Sequence, residues 1–128
     1  MEGLFEAGIG NYIDAFSIHV YTHGKKPEDE MTENYNRIEK VMDDYGFDGE
    51  IWLTETGYST AASSYNSTET EQASWAIRTK ILWDNYLKTN GRKGEFFWYD
   101  LTHLTCTISY IRKVFFTHFT RKNLDFKL

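Results

Sequence analysis

Apolar positions along the chain follow two periodicities, one typical of buried strands and one of amphipathic helices. Residues 13–21 form a run of β-branched and aromatic side chains, and residues 51–53 and 95–99 form two shorter runs of the same kind. Each of these runs predicts a buried strand. Between the first two runs, apolar residues recur at spacings of three and four, at Met31, Tyr35, Ile38, Met42 and Tyr45. This spacing predicts an amphipathic helix, after a polar loop over residues 22–30.

A second helix is predicted between the last two strands. Thr68 and Glu71 have the spacing of a capping box, which opens a helix, and Gly91 is placed to end it. We expect its apolar stripe to include Ala73, Ala76, Ile77 and Ile81. A short helical turn at residues 4–8 precedes the first strand, with Gly8 as its left-handed stop.

This order of elements predicts the fold class. Strands that alternate with helices of this length are typical of parallel βαβ units, and their continuous apolar character predicts cover on both faces of the sheet. Three strands cannot close a barrel. The sequence therefore predicts an α/β protein, a parallel fragment of a larger sheet.

Composition excludes several classes of function. The chain of 128 residues carries a net charge of −5 and lacks the basic footprint of a nucleic-acid-binding protein. No run approaches the ~18 apolar residues that span a bilayer, so we expect no membrane association. The first residues do not resemble a signal peptide, which leaves the compartment open. Cys106 has no partner for a disulfide, and the histidines lack metal-ligand spacing, so we predict neither a metal nor another cofactor.

The charge changes sign near Leu101. Residues 1–101 hold nine basic and 18 acidic residues, a net of −9, whereas residues 102–128 hold five basic residues and one acidic residue, a net of +4. We therefore divide the chain into a main unit, 1–101, and an atypical tail, 102–128. The tail is compatible with a strand or with a basic amphipathic helix, and we expect it to come from a shifted reading frame or a non-coding segment.

Polar side chains collect at one edge of the predicted sheet. His19 and Tyr21 end the first strand, Glu55 ends the second, and Trp98 lies near the end of the third. Ligands bind at the carboxyl ends of parallel strands. A carboxylate at the end of a buried strand is costly without a partner, and the Tyr21 hydroxyl can donate a hydrogen bond to it. Alternation along the second strand predicts that Trp52 points away from Glu55 and packs against the helices.

Three segments resemble a known family. Residues 14–21 (Asp-Ala-Phe-Ser-Ile-His-Val-Tyr), 52–58 (Trp-Leu-Thr-Glu-Thr-Gly-Tyr) and 96–100 (Phe-Phe-Trp-Tyr-Asp) are similar to the sixth, seventh and eighth strands of clan A retaining glycoside hydrolases. These enzymes, which include cellulases and β-xylosidases, are TIM (β/α)8 barrels. The resemblance covers about residues 4–101 and implies a partial barrel with the last three strands and their intervening helices.

The resemblance also implies roles for individual residues. Glu55 corresponds to the nucleophile and Tyr21 to the residue that orients it, while His19 and Trp98 correspond to substrate-binding positions. Tyr58, in the loop after the second strand, is a further candidate for a sugar contact. Each position has a simpler explanation: Glu55 as a capping or ion-paired carboxylate, His19 and Trp98 as core side chains, and Tyr58 as a cover over the core.

The implied reaction is retaining hydrolysis of O-glycosidic bonds in an oligo- or polysaccharide. In the family the acid/base is the Glu of an Asn-Glu pair after the fourth strand, and only 13 residues precede Asp14. We therefore predict that this chain alone is inactive and that a missing N-terminal half-barrel, or self-association, completes it. The alternatives are a non-catalytic carbohydrate-binding or assembly fragment that uses the Trp98 and Tyr21 surface, and an unstable, non-functional translation product.

Overall fold

A computed structural model of the chain describes residues 1–61 and 67–99. Its elements are α1 (Glu2–Glu6), a 3-10 turn (Ile9–Asn11), β1 (Ala15–His19), α2 (Pro27–Asp44), β2 (Glu50–Thr56), α3 (Glu69–Asn90) and β3 (Phe96–Trp98). The predicted tail, 102–128, lies outside the described residues. The predicted order of strands and helices is confirmed.

The three strands form one parallel sheet in the order β1-β2-β3. Helices α2 and α3 pack against each other, with the rings of Tyr35 and Trp83 in contact at 5.4 Å between centroids. Ile51 and Leu53 of β2 are fully buried on the face that these helices cover. Consecutive parallel strands with helices on one face are the unit that a (β/α)8 barrel repeats. The predicted fold class, α/β with a partial barrel, is therefore confirmed.

The second face of the sheet differs from the prediction. We expected both faces to be covered, but in the described part of the chain Ser17 is exposed and Trp52, Thr54 and Phe97 are only partly buried. The register pairs Ser17 with Trp52, which places these two side chains on the same side. This surface is called the open face below.

Helix α2 begins earlier than its apolar spacing predicts. The polar segment 22–30 was predicted to be a loop, but α2 starts at Pro27. Proline suits the first helical turn because its missing N–H has no partner there. Glu28, Asp29 and Glu30 fill that turn, where their negative charge interacts favourably with the helix dipole. The last part of the predicted loop is therefore helix.

Helix α3 has the predicted ends but not the predicted apolar face. The capping box is present, because the Thr68 hydroxyl accepts from the Glu71 amide and the Glu71 carboxylate accepts from the Thr68 amide. Gly91 is left-handed, with φ of 64°. The buried residues are Trp75, Thr79, Trp83 and Tyr86. Ile77 and Ile81, expected in the stripe, are 66% and 60% exposed, because the larger aromatic rings occupy the side that faces the sheet and α2.

A buried ion pair fastens the helices to the loop before β3. The Arg92 Nε donates to Glu39 Oε1 at 2.8 Å, and both side chains are only 11% exposed. The Tyr86 hydroxyl donates to the other Glu39 oxygen at 2.5 Å. Arg92 also donates to Asp43 and to the Phe47 carbonyl. One guanidinium thus joins α2, the α2–β2 loop and the segment after α3.

Replacing Arg92 with alanine is expected to destabilise the chain by about 3 kcal/mol. The variant leaves the Glu39 carboxylate buried without its counter-charge, which is costly in a medium of low polarity. Arg37→Ala is the matched control, because Arg37 pairs with Glu33 on the exposed surface of α2 and its loss should cost at most about 0.5 kcal/mol. Urea unfolding monitored by tryptophan fluorescence measures both values, and similar midpoints for the two variants would contradict this expectation.

Candidate active site

An irregularity in strand β2 sets the direction of the Glu55 side chain. Ile18 of β1 pairs with Leu53, but the next residue, His19, pairs with Glu55, so Thr54 is an extra residue on β2. The Thr54 hydroxyl lies 2.5 Å from that of Ser17, on the open face. This β-bulge lets Thr54 and Glu55, although adjacent in sequence, both turn away from the helices.

The carboxylate of Glu55 is held by two side chains, those of His19, the last residue of β1, and of Tyr21, two residues beyond it. His19 Nδ1 lies 2.8 Å from Glu55 Oε2, and the Tyr21 hydroxyl donates a hydrogen bond to the same carboxylate. The Val20 amide donates to the Glu55 carbonyl at 3.2 Å, which ties the two strand ends together. The structure therefore brings together Glu55, Tyr21 and His19, three of the five residues predicted for the site.

The pKa of Tyr21 is raised above its ordinary value. Burial is the largest cause, and the hydrogen bond to Glu55, the charge of Glu55 and the nearby Tyr99 act in the same direction. Losing the phenolic proton would place a second negative charge beside the carboxylate. Tyr21 is therefore a neutral hydrogen-bond donor to Glu55 throughout the physiological range of pH.

The raised pKa of Tyr21 leads to a prediction for alkaline solution. The unfolded chain loses this proton near the ordinary pKa of 10.0, whereas the folded chain retains it, so the stability that Tyr21 contributes falls as the pH rises above about 10. NMR of ring-labelled tyrosine should show that Tyr21 remains protonated above pH 10 until the chain unfolds. Glu55→Gln should lower the pKa of Tyr21 but not return it to the ordinary value, because the tyrosine stays buried. An unchanged titration of Tyr21 in this variant would contradict its contact with Glu55.

Trp98 and Tyr58 lie on the other side of the sheet from Glu55. Trp98 is 6% exposed and packs on Phe96 and on the ring of Tyr58, at 5.9 Å between centroids. Tyr58 is buried in turn against Trp75 of α3. These two residues occupy the helix-covered core in the structure, and their contact with a sugar stays a prediction.

Three aromatic residues on the open face were not predicted as part of the site. Phe97 contacts Trp52, with 6.3 Å between ring centroids, so Trp52 shares the side of Glu55 and the prediction that it packs against the helices is wrong. The reason is the bulge at Thr54, which breaks the strand alternation. Tyr99 is 43% exposed and close enough to Tyr21 to influence its pKa. Alternation along β3 predicts that Tyr99 lies on the open face, because Phe96 and Trp98 occupy the opposite side of the sheet.

Other features of the described structure lie away from this site. A cleft of about 350 Å³ opens at the opposite end of the strands, lined by Asp14, Asp48, Gly49, Glu50, Asn90, Gly91, Arg92 and Lys93. Within residues 1–61 and 67–99, no three His, Cys, Asp or Glu side chains are grouped in a way that could hold a metal ion. None of the helices in the described part combines the length and apolarity needed to span a membrane.

Comparisons with known proteins give one structural similarity. No protein-family model matches the chain, and no curated protein sequence matches it. The structure is similar to that of a hyperthermostable endo-1,4-β-D-mannanase from Thermotoga petrophila RKU-1, solved with maltose and glycerol. That similarity has a TM-score of 0.42 and 20% sequence identity. It covers 67% of this chain but only 22% of the mannanase chain.

Proposed function

We propose that Glu55 is the nucleophile of a retaining glycoside hydrolase that acts on O-glycosidic bonds in oligo- or polysaccharides. The observation that carries this proposal is the position of Glu55 at the carboxyl end of β2, with its carboxylate held by Tyr21 and His19. Parallel strands present ligand-binding groups at this edge. β-Bulges are over-represented next to active sites, where they re-aim a side chain, as the bulge at Thr54 does for Glu55.

In the proposed reaction, a Glu55 oxygen attacks the anomeric carbon of the sugar. The new bond between Glu55 and the sugar forms as the glycosidic C–O bond breaks, and the leaving oxygen departs with the electron pair. Water then cleaves the glycosyl-enzyme and regenerates the carboxylate. The hydrogen bonds from Tyr21 and His19 restrict the rotation of the carboxylate, so less conformational freedom is lost when the sugar is attacked.

The second carboxylate of the mechanism is proposed to come from outside the described residues. Retaining enzymes place their two carboxyl groups about 5–5.5 Å apart. The resemblance assigns the acid/base to a strand before β1, and its general acid contribution is typically 10²–10⁴-fold in rate. We therefore expect no measurable hydrolysis of unactivated oligosaccharides by the chain alone. Hydrolysis that depends on Glu55 would overturn this expectation.

The open face supports a proposal about assembly. Parallel sheets are normally covered on both faces, and the strands β1 and β3 are the edges of the described sheet. Further βα units, paired with these edges, would cover Trp52 and Phe97 and supply the second carboxylate. The alternative partner, a second copy of the chain, would add the three strands of the described residues, which makes six of the eight that close such a barrel.

Covalent labelling of the full chain tests the proposal. Dinitrophenyl glycosides need no general acid, because their leaving group departs without protonation. Incubation with a panel of glucoside, mannoside, xyloside and galactoside is expected to add the mass of one glycosyl unit, and peptide mapping should place it on Glu55. The adduct should persist, because the acid/base residue that would activate water is proposed to lie outside the described residues. Failure of the whole panel at millimolar concentration, or a label on another carboxylate, would refute the assignment of Glu55.

A non-catalytic sugar-binding fragment is the competing function. It would bind the same glycosides, detected by changes in tryptophan fluorescence, without gaining mass. The burial of Trp98 away from the open face gives this function less support than the arrangement around Glu55 gives the first.

A further inference from the structure

We infer that Tyr58 and Thr22 are positioning residues for the proposed site, because the buried hydrogen bond between them fixes the segment that carries Tyr21. This contact lies on the helix-covered side of the sheet, whereas Tyr21 and Glu55 meet on the open face. One part of the inference, that the contact holds Tyr21 against Glu55, concerns the free protein. The other part, an effect on the rate of attack on a sugar, rests on the proposed function.

Thr22 is fully buried and anchors the start of the loop after β1. Its hydroxyl donates to the Lys25 carbonyl at 2.8 Å, and the Lys25 amide donates to the Thr22 carbonyl at 3.1 Å, so residues 22–25 form a tight turn. The Tyr58 hydroxyl lies 3.1 Å from that of Thr22. A hydroxyl has one proton, and that of Thr22 goes to the closer carbonyl, so Tyr58 is the donor to the Thr22 oxygen. A buried hydrogen bond thus joins the segments that follow β1 and β2.

Tyr58 is itself held in place by α3 and β3. Its ring packs on Trp75 of α3, with 4.8 Å between centroids, and on Trp98 of β3, with 5.9 Å. The side-chain amide of Gln72 donates to the Tyr58 carbonyl at 2.6 Å. Because both the ring and the backbone are restrained, the hydroxyl group has a defined position. The hydrogen bond therefore restrains the loop around Thr22 rather than Tyr58.

The restrained loop determines where Tyr21 lies. Tyr21 precedes Thr22, and its hydroxyl donates to the Glu55 carboxylate on the open face. On one side of Tyr21 along the chain, the Val20 amide donates to the Glu55 carbonyl at 3.2 Å. On the other side, Thr22 is bound to Tyr58. The backbone of Tyr21 is thus fixed at both neighbouring residues, which limits the positions that its hydroxyl can take relative to the carboxylate.

Tyr58→Phe tests this inference without any activity, because it removes the hydrogen bond and leaves the ring contacts in place. In the full chain with ¹³C at the tyrosine Cζ carbon, NMR in mixtures of H₂O and D₂O measures how fast the Tyr21 hydroxyl proton exchanges with solvent. We expect this exchange to be about tenfold faster in Tyr58→Phe, because the loss of one buried hydrogen bond frees Tyr21 from Glu55 more often. An unchanged exchange rate would overturn the inference.

Tyr35→Phe is the matched control. Tyr35 is also buried, but its hydroxyl donates within α2, to Met31 Sδ at 3.3 Å. This variant also loses a buried phenol hydroxyl, and it should leave the exchange rate of Tyr21 unchanged. Equal acceleration in Tyr35→Phe and Tyr58→Phe would indicate a general loss of stability and would count against the inference.

Two variants of Thr22 test the other partner. Thr22→Val keeps the shape of the side chain without its hydroxyl, whereas Thr22→Ser keeps the hydroxyl. We expect Thr22→Val to accelerate the exchange of Tyr21 at least as much as Tyr58→Phe does, and Thr22→Ser to stay close to the unmodified chain. The double variant of Thr22→Val and Tyr58→Phe should exchange no faster than Thr22→Val, because both changes remove the same hydrogen bond. Additive effects would contradict the inference. Circular dichroism confirms that each variant is folded.

The labelling assay with dinitrophenyl glycosides tests the part that rests on the proposed function. We expect the maximal rate of Glu55 glycosylation to fall about tenfold in Tyr58→Phe and to stay unchanged in Tyr35→Phe. The glycoside concentration at half-maximal rate should stay unchanged in both variants, because the buried hydroxyl of Tyr58 does not reach the sugar. An effect on this concentration alone would indicate direct sugar binding by Tyr58 and would overturn the positioning role.

The NMR and labelling experiments distinguish a failure of this inference from a failure of the proposed function. Faster exchange of Tyr21 in Tyr58→Phe, without labelling of Glu55 in any chain, would overturn the proposed function and support the positioning of Tyr21 alone. Labelling of Glu55 at the same rate in Tyr58→Phe and in the unmodified chain would support the proposed function and overturn the effect of Tyr58 on it.

Discussion

Gly94→Ala is expected to destabilise the chain by about 5 kcal/mol, enough to unfold many domains of this size. A Cβ atom at this position would lie 1.8 Å from the Ile51 carbonyl oxygen and 2.9 Å from its carbon. Both are backbone atoms of β2, which no side-chain rotation can move. Relief of the clash therefore requires β3 to move away from β2.

Movement of β3 would break hydrogen bonds on both sides of Gly94. The Ile51 amide donates to the Lys93 carbonyl at 3.0 Å, and the Leu53 amide donates to the Glu95 carbonyl at 2.9 Å. Ile51, Leu53 and Phe96 are all buried, so separation of the strands would also open the core. The cost thus combines lost sheet hydrogen bonds with exposed apolar surface.

Gly3→Ala is the matched control for this prediction. Gly3 lies in α1, its added Cβ meets nothing within 4 Å, and alanine favours helix, so the change should be neutral or slightly stabilising. Urea unfolding and near-ultraviolet circular dichroism compare the two variants. A cooperative transition for Gly94→Ala within about 1 kcal/mol of the unmodified chain would show that the strands can separate without this cost.

Glu55→Gln is expected to eliminate the glycosyl adduct completely. The amide has nearly the same shape as the carboxylate but is a far weaker nucleophile, so the bond to the anomeric carbon does not form. Intact-mass spectrometry after incubation with the most reactive dinitrophenyl glycoside should show only the unmodified mass.

Glu50→Gln provides the control from the same strand. Glu50 lies at the other end of β2, where it accepts a hydrogen bond from Trp52 Nε1 at 2.9 Å. This variant should be labelled at the rate of the unmodified chain. Labelling that persists in Glu55→Gln, or that disappears equally in both variants, would contradict the assignment of the nucleophile.

The elements of the fold were predictable because each has a strong local cause. The spacing from Met31 to Tyr45, the capping box at Thr68 and the glycines at the helix ends all act within a few residues. The early start of α2 was missed because acidic residues look like a loop unless the proline before them is taken as the first helical residue. The sequence favours core packing for Trp75 and Trp83 of α3, which is confirmed, but the stripe through Ile77 and Ile81 is wrong, because apolar residues occur almost all around the helix.

The candidate site was predictable in part. The positions of His19, Tyr21 and Glu55 at strand ends follow from parallel topology, and the structure places them in contact. The side of the sheet taken by Trp52 and the proximity of Tyr99 to Tyr21 were not predicted. These features depend on how β1 pairs with β2 and β2 with β3, and a shift in register leaves no periodic signal in the residues themselves.

Because Thr54 is an extra residue in β2, the end of this strand cannot be transferred unchanged to a regular strand of another protein. A graft of Leu53, Glu55 and Thr56 onto a regular strand, with Thr54 deleted to restore even pairing, would keep Leu53 beside the helices and Glu55 opposite His19. It would also keep Thr56, which is fully buried here, on the helix side, and would lose only the contact of the Thr54 hydroxyl with that of Ser17. With Thr54 retained but the pairing regularised, Glu55 itself would be directed into the apolar core. A graft that retains Thr54 must therefore carry the partner segment around Ser17 together with the donor strand.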